Sequence, residues 1–212
     1  MAGDRAEAHA IIESGRNQGR STMIFDPLLL NVPDQFETER LVIRAPRPGD
    51  GPVVYAAIVE TLDDLRRFPA SMRWALDRHT PDTAESFCRR GAAMWLLRAD
   101  MPMLLFQKTD GEFVGGSGVH RFDWAERRFE VGWWCRKRYQ RQGFITEAVK
   151  EVIEFAFKHL GARRVFALGD AVNTASWRVC ERAGMLYEGT LRSERADPDG
   201  TRRDMRIYAV TR

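Results

Sequence analysis

Glu130-Val131-Gly132-Trp133-Trp134-Cys135-Arg136-Lys137-Arg138-Tyr139-Gln140-Arg141-Gln142-Gly143 is the stretch from which the rest of this 212-residue sequence is read. Val131 to Cys135 reads as a strand, and the residues that follow Gly143 read as a helix. Arg136, Lys137, Arg138 and Arg141 crowd the loop between them with positive charge. A charge run alone is also what a solvated face looks like. Here it sits just before a helix start, where the first N–H groups have no intrahelical partner and the helix dipole is positive. Gly143 lets the backbone come close to a ligand. These features make a site for a phosphate or pyrophosphate. No Gly-Lys-Ser/Thr follows, so this is not a nucleotide-triphosphate loop of the Walker type.

The following helix is the clearest in the sequence. Ile145, Val149, Val152, Ala156 and Leu160 recur every three or four residues, with Glu147, Lys150, Glu151, Glu154 and Lys158 off that stripe. Gly161 ends it, and Arg164 to Leu168 reads as a buried strand. Asn173 caps a second helix over Thr174 to Ala183, stopped by Gly184. Two closing strands, near Met185 to Leu191 and Met205 to Thr211, flank a turn at Pro198-Asp199-Gly200. Upstream, Leu41 to Ile43 is a first strand. Val53 to Leu65 gives one or two short helices, with a break at Thr61-Leu62-Asp63-Asp64. Thr80-Pro81-Asp82 starts a helix that runs to about Leu97. Met103 to Gln107, Phe113 to Val119 and Arg128 to Cys135 are then three antiparallel strands. Gly115, Gly116 and Gly118 mark a bulge or close packing. Residues 1–34 lack a core pattern and read as an extension, mobile or at an oligomer contact, ahead of a domain spanning 35–212. The order of elements predicts a mixed α/β layer fold.

Composition narrows the function classes. Apolar residues at 44% and charged residues at 30% are ordinary for a soluble domain. No apolar run approaches the roughly 20 residues of a membrane span, and the first residues have no secretory pattern. Three cysteines, Cys88, Cys135 and Cys180, are widely spaced, which fits a reducing cytoplasm better than a disulfide framework or a metal site. A net charge of +3 points to no particular partner. No stacking-aromatic pattern accompanies the basic loop, so a direct nucleic-acid role is not expected.

Gln140-Arg141-Gln142-Gly143-Phe144-Ile145, running into Thr146-Glu147-Ala148, resembles the acyl-CoA pyrophosphate loop of the GNAT N-acetyltransferases, and within them the RimJ/RimL type. Thr38-Glu39-Arg40-Leu41, Glu130 to Trp134, Asn173-Thr174-Ala175-Ser176, Gly184-Met185, Glu188 to Arg192 and Arg203-Asp204 follow in the order and spacing of that group. The resemblance covers about Asp34 to Arg212. It departs at Arg141, where glycine is common, at Ile145, where glycine or alanine is usual, and at Met185, which replaces a phenylalanine.

The resemblance implies a GNAT fold (mostly antiparallel, with a splayed strand pair and helices on both faces). It also implies acetyl-CoA as cosubstrate, no metal, and transfer of an acetyl group to a primary amine. The favoured acceptor is a protein N-terminus, and self-association as a homodimer fits the same pattern. Cofactor contacts are expected from Val131, Trp133, Trp134, Cys135 and Arg136 on the central strand. Arg138, Arg141, Gln142, Gly143, Phe144 and Ile145 would contribute from the loop, and Asn173 and Ser176 from the later helix. Backbone N–H groups of Val131 to Arg136 would also polarise the thioester carbonyl.

An α-amine, with pKa ~7.7 to 8.0, loses its proton more readily than a lysine at ~10.4. Glu130 is the candidate base, against the reading of a solvent-facing strand carboxylate or a partner for Arg127 or Arg128. Ser176 is placed either to protonate the leaving thiolate or to bind the CoA arm. His120 is a further acid–base candidate near the cleft. Phe68 and Trp74 are candidate walls of the acceptor pocket, and Asp63 and Asp64 either bind a cationic substrate or serve their helix. Cys180 occupies a position where many members carry a tyrosine acid. Two alternatives stay open: a small-molecule acceptor such as a polyamine, amino acid or aminoglycoside, and a CoA-binding sensor without catalysis.

Overall fold

A computed structural model describes residues 25–212. The first strands are β1 (Gln35–Glu37) and β2 (Leu41–Arg44), followed by helices α1 (Gly51–Leu65) and α2 (Pro81–Leu96). The meander β3 (Met101–Gln107), β4 (Phe113–Asp123) and β5 (Arg128–Cys135) leads into α3 (Phe144–Leu160). Then come β6 (Arg164–Asp170), α4 (Thr174–Arg182), β7 (Leu186–Ala196) and β8 (Arg202–Thr211). The strands form one sheet in the order β1-β2-β3-β4-β5-β6-β8-β7. Every pairing is antiparallel except β5 with β6.

The helices form because their signals agree. Thr80 and Thr83 make a reciprocal capping box at the start of α2, with Pro81 in its first turn. Asn173 accepts from the Ser176 N–H at 3.2 Å and caps α4. α3 runs between two left-handed glycines, Gly143 and Gly161, at φ 85° and 62°. Its apolar stripe, Ala148, Val149, Val152, Ile153, Ala156 and Leu160, packs with Leu41, Ile43, Met101, Val119 and Trp177 on one side of the sheet. On the other side Val54, Ala57 and Ile58 of α1 and Ala84 and Cys88 of α2 cover Leu104 and Phe113.

Three expectations change. α1 is one continuous helix through Thr61-Leu62-Asp63-Asp64, because the Thr61 hydroxyl donates to the Ala57 carbonyl one turn back and needs no break. A three-residue strand, β1, precedes the expected first one and was too short to carry a pattern. β7 and β8 are longer than expected and twist through register shifts near Gly189 and Ser193. The glycine-rich part of β4 holds a bulge facing Leu105 and Phe106, as its composition suggested.

Residues 25–34 lie against the same domain. Phe25 lies 3.5 Å beneath the Arg127 guanidinium, the Arg98 side chain donates to the Leu30 carbonyl at 2.9 Å, and Val32 is buried. The remainder of the expected extension, residues 1–24, lies outside the described residues. Among the described residues no helix is long and apolar enough to cross a membrane.

The feature that positions the site is where the parallel pair stops. β5 and β6 are in register only at Arg128↔Arg164, Phe129↔Val165 and Glu130↔Phe166. Beyond Glu130, β5 stays with β4 as far as Cys135, while β6 stays with β8 as far as Asp170. The two strands therefore part, and the backbone of β5 from Val131 onward is unpaired on its β6 side. Trp177 of α4 helps fix the β6 wall: it stacks on Tyr208, its indole N–H reaches the Ala171 carbonyl at 3.2 Å, and its ring lies against Gly169.

Candidate active site

Two clefts open on either side of this parting. The first, about 730 Å³, is lined by the loop and start of α3 (Tyr139 to Thr146 without Gln142), by α4 (Asn173 to Ser176, Arg178, Val179, Arg182) and by Thr61 to Met72 at the end of α1. The second, about 750 Å³, lies under α1 and α2 and is floored by β4 and β5. Both volumes suit a small-molecule or peptide site. Met72, Trp133, Trp134, Asn173 and Ser176 line both, so the clefts meet where β5 leaves β6.

In the first cleft, α3 begins at Glu147 N–H→Gly143 C=O, 3.0 Å. The N–H groups of Phe144, Ile145 and Thr146 precede that bond and have no helical acceptor, and all three residues line the cleft. Gly143 is needed for its left-handed backbone. Glu147 fixes the helix end by accepting from Thr38 Oγ1 at 2.5 Å, the Arg40 N–H at 2.8 Å and Arg40 Nε at 2.6 Å. Burial alone would raise its pKa, but these donors hold the carboxyl below the ordinary value. Thr38 and Arg40, noted in the sequence only as a matching motif, thus tie the β1–β2 turn to the N-terminal end of α3.

The loop arginines divide into two groups. Arg141 lines the cleft, in a left-handed conformation at φ 62°. Arg136 and Arg138, both expected at the cofactor, do not line it with their side chains. Arg136 is buried, and its guanidinium donates to Glu60 at 2.8 Å, to Glu112 at 3.3 Å and to the Phe113 carbonyl at 3.4 Å. Arg138 donates its N–H and its Nε to the same Glu60, at 3.0 and 3.2 Å. Gln142 also turns away, its side-chain amide bonding the Arg138 carbonyl. Val131 is buried and lines the second cleft instead. Positive charge in the first cleft comes from Arg141 and from Arg67, Arg178 and Arg182, three residues that no sequence signal singled out. Asp64 receives the Gln140 amide at 3.3 Å, so it serves the loop. Trp133, Trp134, Cys135, Gly143, Phe144, Ile145, Asn173 and Ser176 all lie in the first cleft.

Phe68, expected at the acceptor pocket, lines the first cleft, because the end of α1 closes over that side. Trp74 does line the second, its ring 5.9 Å from that of Trp134. The floor of the second cleft is one face of the β4–β5 pair. Its register places Gly116 opposite Trp134, Gly118 opposite Gly132, and His120 opposite Glu130. A Cβ on Gly116 would stand 2.5 Å from the Trp134 indole nitrogen, so the indole packs directly against that glycine.

Glu130 is mostly buried, its side chain 14% exposed. Arg121 Nε stands 3.1 Å from Oε2 without hydrogen-bond alignment, so that oxygen is an ion-pair neighbour that still lacks a donor. Burial raises the Glu130 pKa, against the opposing pull of Arg121, Arg195 and His120. Cys180 is fully buried with its thiol pushed up to about 12 by desolvation, which suits a packing residue and not a nucleophile. Cys135 is likewise pushed up to about 12 by burial.

A sheet whose one parallel pair among the described residues parts midway, with the uncapped N-terminus of a helix beside the gap, is the GNAT acetyltransferase architecture. Residues 40–186 match the acetyltransferase (GNAT) domain family, and the chain belongs to that family. Among relatives, the uncharacterized N-acetyltransferase YoaA of Bacillus subtilis is 25% identical over 178 residues, 84% of this chain and 96% of that protein. Among solved structures, Mycobacterium smegmatis RimJ in complex with CoA-disulfide superposes with TM-score 0.73 at 23% identity, covering 84% of this chain and 86% of that one. The ribosomal L7/L12 α-N-protein acetyltransferase RimL in complex with coenzyme A gives TM-score 0.75 at 17% identity, covering 85% and 97%.

Proposed function

We propose that this acetyltransferase moves the acetyl group of acetyl-CoA to a primary amine, with a protein N-terminus as the acceptor. The observation that carries the reading is the meeting of the two clefts at Trp133, Trp134, Asn173 and Ser176. A thioester lying along the unpaired edge of β5 reaches the junction from one side, and an amine reaches it from the other. The pyrophosphate rests on the N–H groups of Phe144 to Thr146, beside Arg141, Arg178 and Arg182. Unpaired N–H groups of β5 hold the pantetheine and polarise the carbonyl. Once nitrogen has added to that carbonyl, the tetrahedral adduct carries a strongly acidic N–H. Glu130, made more basic by burial, accepts that proton. Ser176 lies in both clefts and serves the departing sulfur.

The charge of the acceptor cleft favours a peptide over a polyamine. Arg78, Arg90, Arg121 and Arg195 line it, against Asp77, Asp100 and Glu130. A polycation gains little there, whereas a single α-ammonium followed by neutral or acidic residues is accommodated. RimL is named for α-N-acetylation of a ribosomal protein, which points to the same acceptor class. The test is thiol release from acetyl-CoA with a panel of peptides, polyamines, amino acids and aminoglycosides. Release confined to polyamines or aminoglycosides would replace the proposed acceptor. Binding of acetyl-CoA with no release by any amine would favour a CoA sensor.

A further inference from the structure

His120 and Asp100 form a pair at the second cleft that the catalytic reading above does not use. His120 Nδ1 lies 2.6 Å from Asp100 Oδ1, and both residues line the cleft. A carboxylate oxygen can only accept, so in the neutral ring Nδ1 carries the hydrogen and Nε2 the lone pair. The placement of the ring follows from two glycines. A Cβ on Gly118 would stand 2.7 Å from Nε2, and one on Gly132 would stand 3.3 Å from Cδ2. The imidazole therefore leans back along β4 over Gly118 and Gly132, whose register neighbours next along the sheet are Gly116 and Trp134, a residue that lines both clefts. Glu130 is its cross-strand neighbour at the same level. The charged groups that share the cleft with the ring are Asp77 and Arg78 ahead of α2, Arg90 on α2, Asp100 on the loop before β3, Arg121 on β4, Glu130 on β5 and Arg195 on β7.

We propose that His120 is a catalytic base which takes the proton from the incoming ammonium, with Asp100 as the residue that positions it. The inference rests on the acetyl-transfer reading above. An acceptor R–NH₃⁺ must lose two protons on the way to an amide, and the two losses differ in difficulty. The first converts a weakly acidic ammonium into a nucleophile, and an imidazole is better matched to that step near neutral pH than a carboxylate. The second comes off the tetrahedral adduct and falls to Glu130. Nε2 accepts the first proton, the free amine attacks the thioester carbonyl, and the C–N bond forms. Collapse breaks the C–S bond. The proton taken by Glu130 ends on the thiolate as CoA–SH, and the imidazolium releases its own to solvent. The sum is R–NH₃⁺ plus acetyl-CoA giving R–NH–acetyl, CoA–SH and one H⁺. With the His120 side chain 33% exposed and that of Asp100 37%, the pair sits at the mouth of the cleft, where that proton leaves.

The test is His120→Ala with a peptide that the wild type acetylates. The expected result is a fall of ~100-fold or more in kcat, unchanged calorimetric binding of acetyl-CoA, and partial recovery on adding free imidazole. Asp100→Asn should lower kcat by ~10-fold or more and change the acid limb of the kcat/KM–pH profile, which a purely structural contact would not move. Retention of the wild-type rate by His120→Ala would overturn the role of His120 and leave acetyl transfer intact. A wild type that binds acetyl-CoA but acetylates no amine would overturn both. A readout independent of activity is nitrogen-detected NMR of the imidazoles in the wild type. The chain has four histidines, and His120 should be the Nδ1–H tautomer. Finding its proton on Nε2 would remove the lone pair and with it the proposal, even if His120→Ala does not fold.

Discussion

Glu60 on α1 and Arg136 at the end of β5 meet at 2.8 Å, and through that contact a helix on one face of the sheet holds the basic loop. The same carboxylate takes the Arg138 N–H, and the Lys137 N–H donates to Thr61 one position further along α1. The basic loop is therefore anchored by part of its own charge, and in the reading proposed above the phosphates fall to the helix end and to arginines from other elements.

Glu60→Ala should cost about 3 kcal/mol of stability, near the lower end for stranding a buried charge, because Glu112 and the Phe113 carbonyl still reach Arg136. Acetyl-CoA affinity should fall with it as the loop loosens. Arg138→Ala should leave both nearly unchanged, since that side chain is half exposed and points away from the cleft. Urea unfolding and calorimetry on the two variants check this. Burial opposes ionisation of Glu60, but hydrogen bonds from Arg138 and Arg136 hold its pKa below the ordinary value. Its contribution is therefore present above the ordinary carboxylate pKa and is lost as pH falls below it. The Glu60→Ala penalty should shrink in acid.

Gly143→Asp should abolish measurable acetyl-CoA binding in a protein that still folds. The backbone at φ 85° disfavours any side chain, a strain of about 1 kcal/mol. The larger effect is electrostatic: a carboxylate would stand among the donors meant for the pyrophosphate. Gly143→Asn, which tolerates the left-handed region and carries no charge, should retain part of the affinity. Equal binding by both variants and the wild type in a titration would mean that this helix end does not hold the cofactor.

Most of the fold could be read locally. α2, α3 and α4 carry caps and periodicity, and the strands from β3 to β6 are bounded by turns. What could not be read depends on partners distant in sequence. Glu60 looks like any exposed helix acid until its 76-residue separation from Arg136 is closed. Arg136 and Arg138 looked like phosphate ligands because sequence shows a charge but not its counter-charge. Arg67, in the turn after α1, and Arg178 and Arg182, on the surface of α4, gave no signal, because they converge only when the end of α1 and α4 frame the same cleft. β1 is three residues long and exists through its pairing with β2. The glycines of β4 were legible as close packing, though not as the floor of a cleft.

Gly132→Ala should separate chemistry from cofactor binding. The added methyl would stand 3.3 Å from the His120 ring, close enough to shift a side chain without displacing backbone. Acetyl-CoA affinity should stay near wild type while turnover with a peptide falls. Gly118→Ala is the harsher change, since its methyl would meet both Nε2 of His120 and the Met101 carbonyl at 2.7 Å. It should also destabilise the fold by ~1 to 3 kcal/mol. Steady-state kinetics and thermal melts on the pair give the order.

Glu130→Gln should make the protein more stable and less active. Burial raises the Glu130 pKa, so the native state binds that proton more tightly than the unfolded chain does. For such a group the sign is opposite to that of Glu60: stability falls as pH rises from the ordinary carboxylate value through the raised one, and the deficit persists at neutral pH. A neutral amide removes the deficit, so Tm should rise at neutral pH and the gain should vanish in acid, where the wild-type carboxyl is itself neutral. Activity should move the other way, with kcat lower by ~10² or more if the carboxylate accepts the adduct proton. A variant with unchanged Tm and unchanged kcat would leave Glu130 as the ion-pair partner of Arg121 alone. A rise in Tm with a fall in kcat would show that the site keeps a poorly solvated carboxylate, at a cost in stability, because the reaction uses it.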